Sequence, residues 1–277
     1  MRSLPAGLVA YDDVGSGPPL VLLHGFPLDR TIWRPQARAL AARARVIVPD
    51  LPGFGESPRA EVASGDAMSI DGLADVVFAL LDDLELQRAV VVGLSMGGYI
   101  ALAACRRAPE RITGLGLLNT RMEADDDAAR RRRSQLIEAV GREGTEAIVA
   151  AMLPGLLGKS SRRRLPTLAD EVGARMRATP PATIVDGLLA LRDRPDATGT
   201  VRALATPTVL LTGDEDVLTP PEVLARIAAT LPADLPRRHH VVPACGHLSS
   251  LERPAAVTLA LIELLELADR PSPSPVP

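Results

Sequence analysis

The chain contains few aromatic residues, two cysteines and a single lysine among its 277 residues. These shortages limit the classes of protein to which it can belong and the side chains that can form its core. Two cysteines are too few for a disulfide-stabilised secreted scaffold, and they fit no metal-ligand spacing. A 2% share of Phe, Trp and Tyr means that aliphatic side chains must build the core. No apolar run reaches the roughly 18–20 residues that cross a bilayer, so no membrane partner is expected.

Charge and composition predict an ordinary soluble protein. The net charge of -3 at pH 7 is small, so no global field attracts nucleic acid or anionic lipid. The first residues lack the long apolar segment of a signal peptide. With 47% hydrophobic and 23% charged residues, we expect a cytoplasmic monomer or small homo-oligomer that acts on a small molecule.

Short, continuously apolar runs alternate with longer segments of helical period. These runs lie at residues 19–23, 45–48, 89–92, 115–118, 208–211 and 240–242. Because such runs suit strands that are buried on both faces, they predict a mostly parallel sheet. Between two of them, residues 71–84 place six aliphatic side chains on one face of a helix. The alternation predicts a doubly wound α/β domain.

Residues 121–200 break this alternation. They contain several helical stretches, a run of four arginines at 130–133 and no convincing strand. We therefore predict a core domain made of residues 1–120 and 201–268, with residues 121–200 inserted as a helical cap. The arginine run is interpreted as a solvated helix face. The Pro- and Ser-rich residues 269–277 are predicted to be a disordered tail.

The strongest chemical signal is Gly-x-Ser-x-Gly at residues 93–97, between a predicted strand and a predicted helix. A sharp strand-to-helix turn needs these glycines, because side chains in their place would collide with neighbouring elements. The turn presents Ser95 at the carboxyl end of the sheet, near a helix N-terminus whose free N–H groups favour negative charge. Ser95 is therefore the candidate nucleophile.

A serine nucleophile needs a base, and the base needs an orienting group. Of the four histidines, His247 lies in a loop after the last predicted strand, which makes it the best candidate base. Three carboxylates at 214–216 directly follow another predicted strand. Because the carboxyl ends of parallel strands meet at one edge of a sheet, these groups can come close to Ser95.

Five motifs in this order resemble those of the α/β-hydrolase superfamily along most of the chain. They are the His-Gly-Phe-Pro loop at 24–27, the Asp-x-x-Gly-x-Gly-x-Ser turn at 50–57, the serine motif at 93–97, the acid loop at 213–216 and the histidine loop at 246–247. The resemblance implies a catalytic triad of Ser95, Asp216 and His247, which needs no metal or organic cofactor. It also implies an oxyanion hole formed by the backbone N–H groups of Phe26 and Met96.

Two other positions compete for the role of the triad acid. Asp214 lies two residues before Asp216 and has a capping or turn role as its alternative. Some members of the superfamily take the acid from the end of an earlier strand, where this chain has the uncharged Asn119. Asp216 is therefore the predicted acid.

The serine nucleophile also narrows the class of hydrolase. Haloalkane dehalogenases and epoxide hydrolases resemble this fold but have Asp at the nucleophile position. Carboxylesterases, lactonases, carbon–carbon bond hydrolases, cofactor-free perhydrolases and non-catalytic receptors on the same scaffold remain. We expect a carboxylesterase that acts on small to medium acyl esters. The serine motif is similar to that of 3-oxoadipate enol-lactonases, so a lactone hydrolase is the alternative, in which cap arginines could meet a substrate carboxylate.

The cap is expected to form the acyl pocket. Its predicted apolar contacts with substrate are Met122, Met152, Leu153, Leu156 and Leu157. The alternative is that these side chains only pack the cap onto the core. If they do line the pocket, affinity should rise with each added methylene until the pocket is full.

Overall fold

The structure is a computed structural model, and it describes residues 2–4, 7–59 and 68–269. Its strands are β1 (Arg2–Leu4), β2 (Gly7–Val9), β3 (Tyr11–Val14), β4 (Pro19–Leu23), β5 (Arg45–Pro49), β6 (Ala89–Leu94), β7 (Ile112–Leu118), β8 (Thr208–Gly213) and β9 (Arg237–Val242). The predicted tail at 269–277 lies outside the described residues except for Asp269.

Helices follow most of these strands. They are α1 (Arg34–Leu40), α2 (Ile70–Asp83), α3 (Met96–Arg107), α4 (Asp127–Glu143), α5 (Thr145–Leu156), α6 (Lys159–Arg164), α7 (Leu168–Ala178), α8 (Pro181–Arg192), α9 (Thr198–Arg202), α10 (Pro221–Thr230), α11 (Ser249–Glu252) and α12 (Pro254–Ala268). Short 3-10 turns cover Arg30–Trp33 and Pro109–Arg111. None of the helices in the described ranges is long and apolar enough to cross a membrane.

Seven of the described strands form one sheet in the order β3-β5-β4-β6-β7-β8-β9. The pairings from β5 to β9 are parallel, and β3 is antiparallel to β5. Every residue of β6 and β8 is buried. Because successive side chains of a strand point to opposite faces, both faces of the sheet must be covered. α1 packs against α12 and α2 packs against α3, and these pairs supply the two layers. The predicted doubly wound α/β domain with a mostly parallel sheet is confirmed.

The edge strand β3 is the main element that the apolar runs do not predict. Its sequence, Tyr-Asp-Asp-Val, is half polar, and it joins the sheet only through β5. Asp13 of β3 forms an ion pair of 2.7 Å with Arg45 at the start of β5. An edge strand with one open side can carry such polar residues, because only part of its surface is buried.

Helices α4 to α9 lie between β7 and β8 in the chain. Residues 121–200 are all described, and they contain no strand. Within this stretch α4 packs against α8 and α5, and α5 packs against α7. Helix α9 instead packs against α3 and α10, which belong to the layers around the sheet. We call α4 to α8 the helical segment; it covers the sheet edge at which β6 and β8 end.

Candidate active site

Ser95 lies at the turn between β6 and α3, with φ of 55° and ψ of -112°. This conformation is strained for a residue with a side chain. The glycines of the motif make the turn possible. A Cβ on Gly93 would lie 2.0 Å from the carbonyl of Gly97, and a Cβ on Gly97 would lie 2.3 Å from the carbonyl oxygen of Leu23. As predicted, neighbouring backbone lies too close to these two positions for a side chain to fit.

The structure brings Ser95, His247 and Asp216 together in one hydrogen-bonded chain. The Oγ of Ser95 lies 2.9 Å from Nε2 of His247. Nδ1 of the same ring lies 2.9 Å from Oδ2 of Asp216. Because the carboxylate can only accept, Nδ1 carries the proton and Nε2 is left to accept from the Ser95 hydroxyl. The imidazole is therefore held in the tautomer that can remove a proton from Ser95.

Asp216 is buried, with 2% of its surface exposed, and five donors besides His247 surround its carboxylate, the most distant being the Thr212 hydroxyl at 3.5 Å. Oδ1 accepts from the backbone N–H groups of Leu218 and Thr219, both at 2.9 Å. Oδ2 accepts from the Thr219 hydroxyl at 2.6 Å and from the Asn119 amide at 2.9 Å. Burial alone would raise the pKa of Asp216, but the charge and hydrogen bond of His247 and the Thr219 donors hold that pKa well below its usual range.

Asn119 lies at the end of β7, the position from which some members of the superfamily take the triad acid. Here it donates a hydrogen bond to Asp216. Its side-chain nitrogen donates to Asp216 and, at 3.2 Å, to the carbonyl of Gly246 beside His247. Its side-chain oxygen accepts from the Ser249 hydroxyl at 2.6 Å. An amide can donate to the carboxylate, which a second carboxylate could not do without a proton.

The other two carboxylates of the acid loop have partners away from the imidazole. Asp214 is exposed and accepts from the backbone N–H of Cys245 at 3.2 Å. Glu215 accepts from the backbone N–H and the hydroxyl of Ser160, at 2.8 and 2.6 Å. Of the three candidates at 214–216, Asp216 is the one in contact with His247.

His24 is fully buried and fixes the loop that carries Phe26. Its Nε2 accepts from the backbone N–H of Leu51 at 3.0 Å, and its Nδ1 donates to the Gly25 carbonyl at 3.1 Å. Burial lowers the pKa of His24, which agrees with the neutral ring that this pairing requires. Phe26 lines the cavity beside Ser95, and its backbone N–H has no acceptor among the described residues. Met96 opens α3, where the first N–H groups have no intrahelical acceptor.

Glu252 in α11 is a buried carboxylate that the sequence patterns leave without a role. Its oxygens accept from the backbone N–H groups of Gly246 at 2.8 Å, Leu248 at 3.0 Å and Gly158 at 2.9 Å. Gly246 and Leu248 flank His247, whereas Gly158 precedes α6. Glu252 therefore ties the histidine loop to the helical segment. No local signal could have indicated this, because all three partners are backbone groups.

A cavity of about 260 Å³ opens onto Ser95 and His247, between the sheet edge and helices α4, α5 and α8. Its apolar wall consists of Phe26, Ala129, Leu136, Met152, Leu191 and Leu218. Met152 is thus the one predicted substrate contact that lines the cavity.

The other four predicted contacts lie elsewhere. Met122 borders a separate small recess, and Leu153 borders an outer groove between α5 and α7. Leu156 and Leu157 are buried in packing. The prediction rested on composition, whereas the helix face decides which side chain reaches the cavity. Leu153 is rotated by about 100° from its neighbour Met152 and therefore points away.

The polar wall of the cavity is cationic. Apart from Ser95, His247 and the hydroxyls of Tyr99 and Thr219, its polar residues are Arg121, Asp125, Arg132 and Arg133. Arg131 and Arg132 are exposed, as the interpretation of a solvated helix face expects, but Arg132 and the half-buried Arg133 also line the cavity. Their position on α4 turns them towards the cavity.

Comparison with known proteins agrees with this fold and site. A family model described as the alpha/beta hydrolase fold matches residues 18–254. The chain therefore belongs to the α/β-hydrolase family, and the predicted superfamily is confirmed.

Individual relatives cover nearly the whole chain. A solved structure of a thermophilic esterase from Thermogutta terrifontis, with malate bound, is 37% identical, covers 95% of this chain and 94% of that one, and has a TM-score of 0.89. A putative non-heme bromoperoxidase from Mycobacterium tuberculosis is 32% identical over 92% of this chain and 96% of its own length. A shorter match, 46% identical over 37% of this chain, covers 26% of the dihydrolipoyllysine-residue acetyltransferase component of the acetoin cleaving system of Pseudomonas putida.

Proposed function

We propose that this protein is a carboxylesterase that cleaves esters of small to medium acyl chains through Ser95, His247 and Asp216. The observation that carries the proposal is the hydrogen-bonded chain from the Ser95 hydroxyl through His247 to Asp216, with both links at 2.9 Å. The adjoining cavity of about 260 Å³ suits a small substrate. The similarity to the Thermogutta terrifontis esterase supports the same class.

In the first half of the reaction, Nε2 of His247 takes the proton from Ser95 while Oγ attacks the ester carbon. The backbone N–H groups of Phe26 and Met96 donate to the oxyanion that forms. His247 then passes its proton to the alcohol oxygen as the carbon–oxygen bond breaks. The alcohol leaves, and the acyl group stays on Ser95.

In the second half, His247 removes a proton from a water molecule that attacks the acyl carbon. The bond to Oγ breaks, and the proton returns from His247 to Ser95. Asp216 remains ionised throughout and stabilises the imidazolium that forms in each half. Its buried, fully paired carboxylate keeps the imidazole ring in a fixed orientation.

Hydrolysis of p-nitrophenyl butyrate tests this proposal. We expect turnover by the parent protein and a loss of several orders of magnitude in kcat for Ser95→Ala, with unchanged circular dichroism. A fluorophosphonate probe should modify Ser95, as located by mass spectrometry of the labelled protein. A major adduct on another serine, or full activity in Ser95→Ala, would refute the assignment of Ser95 as the nucleophile.

The acyl-chain preference tests the role of the cavity. The apolar wall predicts that kcat/KM rises from acetate to butyrate or hexanoate esters, by at most about 0.8 kcal/mol for each methylene. Leu136→Ala should shift this optimum, because Leu136 lines the cavity. Leu153→Ala, which changes the outer groove, is the matched control. If both variants keep the parent profile, the α4 wall does not contact the acyl chain.

A lactone hydrolase is the alternative function. Ring opening uses the same nucleophile and base, and the leaving oxygen stays attached to the acyl chain. The arginines of the cavity wall favour this alternative, since they could hold a carboxylate borne by the lactone. Assaying lactones beside esters of equal size separates the two functions.

A further inference from the structure

We propose that the cavity selects substrates that carry a second, ionised carboxyl group, and that Arg132, Arg133 and Arg121 form the subsite for it. This inference rests on the proposed serine-hydrolase function and names the class of ester. Three guanidinium groups and the carboxylate of Asp125 line the cavity, which leaves two positive charges in excess outside the triad.

The spacing of residues on α4 explains how two arginines reach the cavity. Ala129, Arg132, Arg133 and Leu136 all line it, and they are separated by three, one and three positions. Positions i, i+3, i+4 and i+7 share one face of a helix. Arg131 lies outside this set and is exposed. The cavity face of α4 therefore presents guanidinium groups between two apolar side chains.

A buried network orients Arg133. Asp125 has 3% of its side chain exposed and pairs with Arg133 through one oxygen and with Arg194 through the other, the latter at 2.6 Å. Arg194 in turn lies over the Tyr99 ring, 4.4 Å from its centroid. Two guanidinium groups share one carboxylate, so the network keeps one positive charge.

The donors of Arg133 are only partly used. Its Nε pairs with Asp125, while its two terminal nitrogens have no acceptor among the described residues. The fork of a guanidinium matches a carboxylate through two parallel hydrogen bonds. Arg133 is thus held by Nε and keeps its terminal donors for a ligand.

The other two arginines add charge at the same place. Arg121 donates to the carbonyl of Leu218, a cavity residue two positions after Asp216, at 2.6 Å. Arg132 has no ion pair or hydrogen bond in the described ranges. Guanidinium groups that face one small cavity repel each other unless an anion joins them. A substrate carboxylate supplies that anion, while Leu136 and Met152 cover the carbon chain that links it to the ester.

A pair of isosteric substrates tests the subsite. Methyl hydrogen glutarate carries the carboxylate on the acyl side, and its primary amide analogue is neutral and of the same shape. The butyryl ester of 3-hydroxypropanoate and its amide form a second pair, with the carboxylate on the alcohol side. In at least one of these pairs, we expect the parent protein to have a kcat/KM about 10- to 100-fold higher for the carboxylate substrate than for its amide.

Substitutions on α4 test which arginines cause the preference for the carboxylate substrate. Arg132→Gln should lower the carboxylate-to-amide ratio several-fold, and Arg132→Gln with Arg133→Gln should bring it close to one. Arg131→Gln, on the same helix but outside the cavity, should keep the parent ratio. If loss of Arg133 disrupts folding through Asp125, Arg132→Gln alone decides, because Arg132 is exposed and unpaired.

The outcomes separate this inference from the proposed function. Hydrolysis that depends on Ser95, with ratios near one in both pairs or unchanged in the arginine variants, overturns the carboxylate subsite alone. Absence of hydrolysis that depends on Ser95 overturns the esterase. In that case calorimetric binding of the same compounds to Ser95→Ala still tests the subsite: equal affinity for carboxylate and amide refutes it.

Discussion

Glu252→Gln tests whether the histidine loop depends on the buried carboxylate behind it. Glu252 is 2% exposed and accepts three hydrogen bonds from backbone N–H groups. Oε2 takes the bonds from Gly158 and Gly246, and Oε1 takes the bond from Leu248. Glutamine has nearly the same shape but one acceptor oxygen and no charge, so the perturbation is chemical rather than steric.

The expected loss follows from these three bonds. The amide oxygen can keep the partners of Oε2, whereas the NH₂ group then opposes the N–H of Leu248. One bond is lost and the others lose their charged acceptor, and hydrogen bonds to charged groups contribute about 1.5–3 kcal/mol each. We expect the free energy of unfolding to fall by about 2–4 kcal/mol. For a chain of this length that lowers Tm by about 4–8 °C.

Thermal unfolding and ester hydrolysis measure the two effects. Because Gly246 and Leu248 flank His247, we also expect kcat/KM for p-nitrophenyl butyrate to fall by about tenfold or more. The matched control is Glu266→Gln on α12, an exposed position where a change of less than about 0.5 kcal/mol is expected. A Tm within 1 °C of the parent (about 0.5 kcal/mol) together with unchanged kcat/KM would refute the idea that Glu252 holds the loop.

Two further predictions concern the acidic residues. Asp216→Asn should lower kcat by roughly 10⁴-fold, because an amide nitrogen in place of Oδ2 would oppose both Nδ1–H of His247 and the amide of Asn119, and one in place of Oδ1 would oppose two backbone N–H groups. Asp214→Asn should stay close to the parent, and the reverse result would move the acid to position 214. Burial opposes ionisation of Asp125, but its pairing with Arg133 and Arg194 outweighs burial and lowers its pKa. Its contribution to stability is therefore complete above the unfolded pKa near 3.9 and is lost as the pH falls through the folded pKa. Between pH 7 and pH 3, the free energy of unfolding measured in urea should change less in Asp125→Asn than in the parent. An equal change in both proteins would contradict this account.

The central strands of the sheet could be predicted from sequence because they carry continuous apolar runs. β6 and β8 are buried along their whole length, so their runs stand out against the amphipathic helices between them. β3 could not be found in this way. It lies at the sheet edge, pairs only with β5 and carries Asp12 and Asp13, so its sequence resembles that of a loop.

The site could be predicted only where a local pattern carries the geometry. Ser95 is indicated by its glycines, whose Cβ atoms would collide with neighbouring backbone. Spacing alone left three carboxylates after β8, and the choice of Asp216 depended on the resemblance to a family. Asn119 is 97 residues from Asp216 in the chain, and their hydrogen bond exists only because β7 and β8 are neighbours. No local pattern reports a contact of that kind.

The helical segment shows why the substrate is harder to predict than the chemistry. The proposed triad is positioned by β6, β8 and the loop after β9, whereas the cavity wall depends on the rotation of α4 and α5 about their axes. A shift of one residue along α4 would place Arg130 and Ser134 on the cavity face instead of Ala129 and Arg133, which moves a charge without touching Ser95 or His247. Under the proposed function, substrate class can therefore change through one helix while the chemistry stays the same, because the proposed recognition groups and the proposed catalytic groups belong to separate elements.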